Sequence, residues 1–427
     1  MLQAVGAAAL STQTSRILGA NDRVNIAVIG VGGRGRAHVN EYSKLTDCHI
    51  AAVCDVNQAA QERAVAMVEK ANGHKPKVYS DMRKLFEDKD VQAVSIATPN
   101  HWHALSTIWA CQAGKDVYVE KPCSYNVFEG KQMVAAARKY NRMVQAGSQS
   151  RSIKHKMEAM KMLQDGVIGK IYMAKGLCYK KRPSIGRKPD QATPPPGVDW
   201  NLFLGPAPLR PFNENRFAYN WHWFWDTGNG DIGNQGIHEM DVARWGLGVN
   251  TFPRSIVSTG GKFLYDDDQE TPNTQIATFD YGDKEIVFEV RGVPGPDEGP
   301  LKGRGGNVVG NIFYGSEGYL AVDGSGYWLY KGDLKEPVKE VKAERGDTSP
   351  HMDNFLKAVK SRKREDLNAE VAINALSSDL CHLANISYRV KRRLNWDPQK
   401  ERFTGDTEAD ALLTRKYRVP YVVPEKI

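Results

Sequence analysis

Val24-Asn-Ile-Ala-Val-Ile29 runs straight into Gly30-Val-Gly32-Gly33-Arg34-Gly35, and residues 37–45 then carry a helical pattern. An apolar run of strand length, a glycine-rich turn and a helix put G-x-G-x-x-G in the context where it has a mechanical meaning. Gly30 permits the tight turn, Gly32 lets the backbone approach a pyrophosphate, and Gly35 lets helix pack against strand. The free N–H groups and dipole at the helix start, beside Gly33 and Arg34, attract phosphates. A second apolar run, His49-Ile-Ala-Ala-Val-Cys54, ends in Asp55, twenty residues beyond Gly35. A carboxylate at that distance accepts hydrogen bonds from ribose hydroxyls and repels a 2′-phosphate, so the expected cofactor is NAD, with NADP less favoured.

Downstream, the pattern keeps alternating. Helices are expected over 59–72, 82–87, 104–113 and 127–140, and strands over 93–97, 116–119 and 143–146. Strands alternating with helices imply a doubly wound parallel sheet, in which ligands bind beyond the carboxyl ends of the strands. Those ends carry Thr98-Pro-Asn100-His101-Trp-His103, Glu120-Lys121-Pro122 and Ser148-Gln149. Thr98, Asn100, His103, Glu120, Lys121 and Gln149 are therefore expected around the cofactor. Lys121 stands out, because an amine beside a nicotinamide can take a proton from a substrate hydroxyl.

The chain is 427 residues long, 41% hydrophobic and 25% charged, with 39 Gly and 21 Pro. These are ordinary globular proportions, and the length suits two or three domains. The net charge of +8 comes from basic residues interspersed with acids, and no nucleic-acid-reading motif accompanies them, so no nucleic-acid partner is expected. No later segment is apolar for long enough to span a bilayer. Six cysteines lie far apart without a CxxC pair, which suggests neither disulfides nor a zinc site. Residues 1–22 read as an export-signal remnant or a disordered N-terminus, leaving a periplasmic and a cytoplasmic location equally open.

Beyond residue 150 the alternation stops. A helix over 153–163 leads to a strand over 171–179, then to an irregular stretch with Pro183, Pro189, Pro194, Pro195 and Pro196, expected to be a lid or an arm to a neighbour. Strands over 255–259, 274–279, 285–290, 311–314, 319–322 and 328–330 suit one largely antiparallel sheet, and helices are expected over 351–359 and 370–390. The segment Asn220-Trp-His-Trp-Phe-Trp-Asp-Thr-Gly-Asn-Gly-Asp231 has three tryptophans in five residues, aromatic faces suited to the C–H faces of a sugar. Trp221, Asp231 and, from the end of the first strand of this region, Tyr179 are candidate substrate contacts. Lys180 and Arg182 are candidates for acidic groups on a sugar. No metal site is expected, since nothing resembles H-E-x-x-H.

Taken with Ala97-Thr-Pro-Asn-His-Trp-His103, Val198-Asp-Trp-Asn-Leu-Phe-Leu-Gly-Pro206 and Gly236-Ile-His-Glu-Met-Asp241, these motifs give a chain that, from Arg23 onward, resembles the Gfo/Idh/MocA family. The resemblance implies a Rossmann domain over 23–150 and an α/β substrate and oligomerisation domain with a large open sheet over 151–427, assembled as a dimer or tetramer. It also implies NAD-dependent oxidation of a hydroxyl on a sugar, cyclitol or sugar derivative, with Lys121 and His238 in proton transfer. Inositol dehydrogenase-type members have an aspartate four residues before the histidine; here that position is Asn234, which can hydrogen-bond a substrate hydroxyl but cannot pick up a proton. Asp231 either substitutes for it or caps the following segment. The resemblance leaves a second activity open, a glycosidase that uses tightly held NAD as a recycled catalyst. A nucleotide-binding subunit without turnover is the third.

Overall fold

The computed structural model describes residues 23–293, 295–303, 305–343 and 348–427. The proposed N-terminal leader, on which the location rests, lies outside them. Strands β1 (Val24–Ile29), β2 (Cys48–Cys54), β3 (Lys77–Tyr79), β4 (Ala93–Ile96), β5 (Asp116–Val119) and β6 (Val144–Ala146) form a six-stranded sheet in the order β3-β2-β1-β4-β5-β6. Every pairing in it is parallel. The chain leaves β1 for β2 on one side and later returns to β4 on the other, so a crevice opens beyond the carboxyl end of β1.

Helices α1 (Gly33–Tyr42), α2 (Gln58–Asn72), α3 (Met82–Glu87), α4 (Asn100–Gln112) and α5 (Val127–Lys139) connect these strands, and α6 (Lys154–Gln164) follows. The second sheet begins with β7 (Ile171–Tyr179). It is reached again after α7 (Trp200–Leu204), α8 (Gly230–Asn234) and α9 (Gly236–Leu247) by β8 (Ser255–Gly261), β9 (Thr274–Asp280), β10 (Glu285–Arg291), β11 (Val308–Gly315), β12 (Gly318–Asp323), β13 (Gly326–Lys331) and β14 (Lys339–Lys342). Helices α10 (Ser349–Ser361) and α11 (Val371–Val390), strands β15 (Leu394–Asp397) and β16 (Arg402–Phe403) and helix α12 (Thr407–Ala411) complete the chain. The order β14-β13-β12-β11-β7-β10-β9-β8-β15-β16 has one parallel pair, β7 with β10. The architecture is α/β, a Rossmann-type sheet beside a large, mostly antiparallel one.

Alternation along β7 explains the second core. Ala174 and Cys178 share one face and pack with Met240 and Ala243 of α9, Met160 and Leu163 of α6 and Leu380 and Leu383 of α11. Leu177 and Tyr179 share the other face, with Leu301, Val308 and Ile312, as a period of two requires. The first sheet ends at Ala146 and the second starts at Ile171, yet residues after 348 serve both. Met352, Phe355 and Val359 of α10 pack with Val24, Ile26 and Val28, and Tyr421 and Val423 join Ile29, Val94 and Val117.

The proline-rich stretch is tied down within the chain at both ends. Ile185 and Lys188 donate backbone N–H to the carboxylates of Asp267 and Asp268 at 2.9 and 2.8 Å. Its far end reaches the first domain, where Gln58 N–H donates to Gly197 O and Asp199 N–H to Val56 O, both at 2.9 Å. All six cysteines are buried and unpaired. Among the described residues no helix is long and apolar enough to cross a membrane, and no cluster of three or more His, Cys, Asp or Glu is placed to hold a metal.

Candidate active site

A cavity of about 600 Å³ lies beyond the carboxyl ends of β1, β4 and β5, walled on the far side by residues of the second domain. Gly30, with φ of +79°, makes the turn, and a Cβ there would sit 2.8 Å from the Ala97–Thr98 backbone. A Cβ on Gly35 would lie 1.8 Å from Gly30 O, so this glycine sets the contact of α1 with the loop and does not face the cavity. Gly32 and Gly33 have open space at the Cβ position and line the cavity, as a close approach of phosphate demands. Asp55 also lines it; its carboxylate accepts Val31 N–H at 2.7 Å and Asn57 N–H at 2.9 Å, and burial pushes its carboxyl upward against those two bonds. The loop and Asp55 thus hold each other.

Around the catalytic end, Thr98, Asn100, His103, Glu120 and Lys121 all line the cavity. His103 spans Thr98 O and Pro122 O at 2.8 and 2.7 Å, tying two strand ends together. Asn100 donates to Asn229 Oδ1 at 2.9 Å, a link between the domains. Gln149 does not face the cavity; it donates to Glu120 at 3.0 Å and to the Tyr118 hydroxyl at 2.8 Å, and so acts behind the wall. Arg34 bonds Glu120 at 2.8 Å through Nε, which orients its guanidinium. Two polar atoms of lining residues, Thr98 Oγ1 and Arg34 Nη2, are buried with no partner among the described residues. The cavity, with open space at Gly32 and Gly33 and with Asp55 in its wall, fits NAD.

Lys121 occupies the junction. Its Nζ donates to Asn234 O at 2.8 Å, and the peptide to Pro122 is cis. Burial pushes its amine below the ordinary lysine range, Arg34 and Lys180 add to this, and Glu120 opposes it. Asn234 lines the cavity and donates to the Tyr219 hydroxyl at 3.1 Å. His238 is not a lining residue, its ring has no hydrogen-bond partner among the described residues, and burial, with Lys121 nearby, pushes its pKa down to about 3.

Two expectations need correction. Asp231 neither replaces the missing carboxylate nor caps α8; Arg182 grips it through two bonds of 2.7 and 2.9 Å, a bidentate pair that leaves no free acid. Tyr179 lies on the face of β7 turned away from the helices, with its hydroxyl bonded to Glu289 at 2.6 Å and outside the cavity lining. Asp241, three residues beyond His238, is buried against Arg151 at 2.7 and 2.9 Å. Of the three tryptophans, Trp221 lines the cavity and stacks on His222 at 3.6 Å, whereas Trp223 is buried and Trp225 lies outside it. Sequence reasoning missed Tyr219, His222, Leu202 and Phe203, which also line the cavity. Their only signal was proximity to the aromatic segment and to Val198-Asp-Trp-Asn.

Comparison with known proteins places the whole arrangement. Residues 24–148 match the family model described as oxidoreductase family, NAD-binding Rossmann fold, and residues 132–290 and 313–423 match its C-terminal alpha/beta domain. A glycosyl hydrolase family 109 protein of Shewanella sp. (strain W3-18-1) is 32% identical over 154 residues, 35% of this chain and 34% of the relative, so the match spans about a third of that protein. The WlbA dehydrogenase from Bordetella pertussis, solved with NADH and UDP-GlcNAcA, superposes with a TM-score of 0.63 at 18% identity over 88% of this chain and 99% of its own. A putative myo-inositol dehydrogenase from Sinorhizobium meliloti gives 0.60 at 19% identity over 87% and 99%. With both domain models matched along one continuous chain, this protein is a member of the Gfo/Idh/MocA family of NAD-binding oxidoreductases.

Proposed function

We propose that the protein oxidises a hydroxyl of a sugar, cyclitol or sugar derivative, with Lys121 as the group that takes the hydroxyl proton. The observation carrying this reading is the position of Lys121 Nζ, at the end of β5 on the dinucleotide side and 2.8 Å from Asn234 O on the other. Bound NAD supplies the hydride acceptor. Lys121 is half-buried, and its lowered pKa leaves more of the amine neutral at physiological pH, which suits a general base. His238, neutral throughout that range, stands near Lys121 but outside the cavity lining, so the proton role rests on Lys121. Asn234 orients the substrate hydroxyl with its side-chain amide. Trp221, stacked on His222, offers an aromatic wall to the C–H face of the ring. Arg182 is ion-paired with Asp231, whereas Lys180, which donates to the neutral Gln235, keeps its charge.

Lys121→Met tests the reading. Turnover falls by about 1,000-fold, in the range of general acid–base catalysis, while NAD still binds in a titration followed by tryptophan fluorescence. Retention of most activity overturns the role of Lys121.

The similarity to glycosyl hydrolase family 109 proteins and the amide at Asn234 favour a second reading. Oxidation of a ring hydroxyl acidifies the neighbouring C–H, elimination expels the aglycone, and water addition with re-reduction restores the sugar and the NAD. Its mark is aglycone release without net reduced nicotinamide.

A further inference from the structure

His222, in the single helical turn Asn220–Trp223, has no task in the proton transfer described above. Its ring is half-buried, lines the cavity and stacks on Trp221 with centroids 3.6 Å apart. The backbone beneath it is fixed: Thr227 Oγ1 donates to Trp221 O and Gly228 N–H to Phe224 O, both at 2.8 Å, and a Cβ on Gly228 would stand 2.3 Å from His222 O. Ring Nδ1 lies 2.5 Å from Tyr219 O. A carbonyl oxygen only accepts, so Nδ1 carries a hydrogen, and in the neutral ring Nε2 is left with a bare lone pair. Burial pushes the pKa down to about 3 against that bond, and Lys121, Arg182 and His103 add to the fall, so the ring is neutral. Nε2 has no partner among the described residues and, unlike Arg34 Nη2 and Thr98 Oγ1, is not shut off from solvent. A carbohydrate hydroxyl donates as well as accepts, and an accessible lone pair on a fixed ring answers the donor.

We propose that His222 is a specificity-determining residue whose Nε2 accepts a hydrogen bond from a carbohydrate hydroxyl other than the one Lys121 deprotonates. Tyr219 O sets the tautomer and Trp221 holds the ring. The inference rests on the carbohydrate reading above and holds for either chemistry given there.

The test uses the full chain loaded with NAD and a panel of free sugars, cyclitols and nitrophenyl glycosides. His222→Phe keeps a ring against Trp221 and loses the acceptor, whereas His222→Gln loses the ring and keeps an acceptor oxygen. With a panel member that turns over, His222→Phe raises KM about 10-fold, the weight of one hydrogen bond, with kcat and NAD affinity unchanged within about twofold, and His222→Gln recovers most of the loss. A wild-type KM for His222→Phe overturns the proposal and leaves the carbohydrate reading standing. An equal or greater loss for His222→Gln also overturns it, by assigning the residue to packing. Diethyl pyrocarbonate gives a readout that needs no variant, since it acylates neutral, accessible imidazole nitrogens. Peptide mapping then finds His222 modified and spares His101 and His103, each buried with both ring nitrogens bonded. A saturating panel member slows the modification of His222 about 10-fold. An unreactive His222, or one that no panel member protects, overturns the proposal; protection without any turnover sustains it and defeats the oxidation reading instead.

Discussion

The two ends of the cavity are built in different ways. The dinucleotide end is made of backbone: a turn at Gly30, open amides at Gly32 and Gly33, and a carboxylate, Asp55, that closes the loop through two N–H groups. The substrate end is made of side chains from distant stretches, Tyr219, Trp221, His222 and Asn234, joined to Lys121 across the domain boundary. Gly30 and Gly35 tolerate no added atom, whereas a wall of side chains tolerates exchange. One end therefore fixes the cofactor, and the other is free to select the substrate.

The largest effect expected from this contrast is at a residue that touches no ligand. Gly35→Ala places a methyl 1.8 Å from Gly30 O, so the loop must move, and NAD affinity falls by 100-fold or more, or the protein fails to fold; overpacking of this kind costs about 1–3 kcal/mol or more. Near-normal NAD binding by that variant would break the comparison.

An intermediate effect comes from the seam between the ends. His101 of α4 bonds Phe203 O at 2.9 Å, bolting α7 to the first domain, and burial pushes its pKa down to about 3. An unfolded histidine titrates near ~6.5, so the unfolded state takes up its proton first as pH falls. The stability tied to this residue is complete above about 6.5 and is lost progressively toward about 3, by up to ~1.4 kcal/mol per pH unit. The Tm advantage of the wild type over His101→Asn should therefore shrink between pH 7 and pH 4. A constant gap contradicts the assignment. The smallest effect belongs to the side-chain wall: Trp221→Ala raises KM about 10-fold, the weight of one aromatic contact, with NAD affinity unchanged within about twofold. Equal losses at both ends would merge them into a single unit.

The same contrast governs what could be read beforehand. The glycine spacing was legible because local chemistry dictates it: φ near +79° at Gly30 and contact at Gly35 leave no alternative residue. Helix α4 starts at Asn100 and not at 104, since the polar run Asn100-His101-Trp102-His103 hides a buried first turn. Strands β3, β14, β15 and β16 were missed; each is two to four residues long and lies at or next to a sheet edge, too short for a period to show. Tyr179 was misplaced for a sharper reason. A strand turns alternate residues to opposite faces, and which face meets the ligand depends on partners far away in sequence, here Glu289. Asp231 was misread because Arg182, forty-nine residues earlier, holds it. Tyr219 and His222 carry no pattern of their own, and only tertiary packing brings them to Asn234 and Trp221.

The central claim, one cavity in which NAD and Lys121 oxidise a carbohydrate hydroxyl, is tested most directly by purifying the protein without added nucleotide. Its absorbance is then followed with a panel of free sugars, cyclitols and nitrophenyl glycosides. The account predicts growth of the reduced-nicotinamide band with polyols, prolonged by added NAD. Nitrophenol release with no net growth of that band would contradict it and select the redox-cycling glycosidase, and no response to any member of the panel would contradict both.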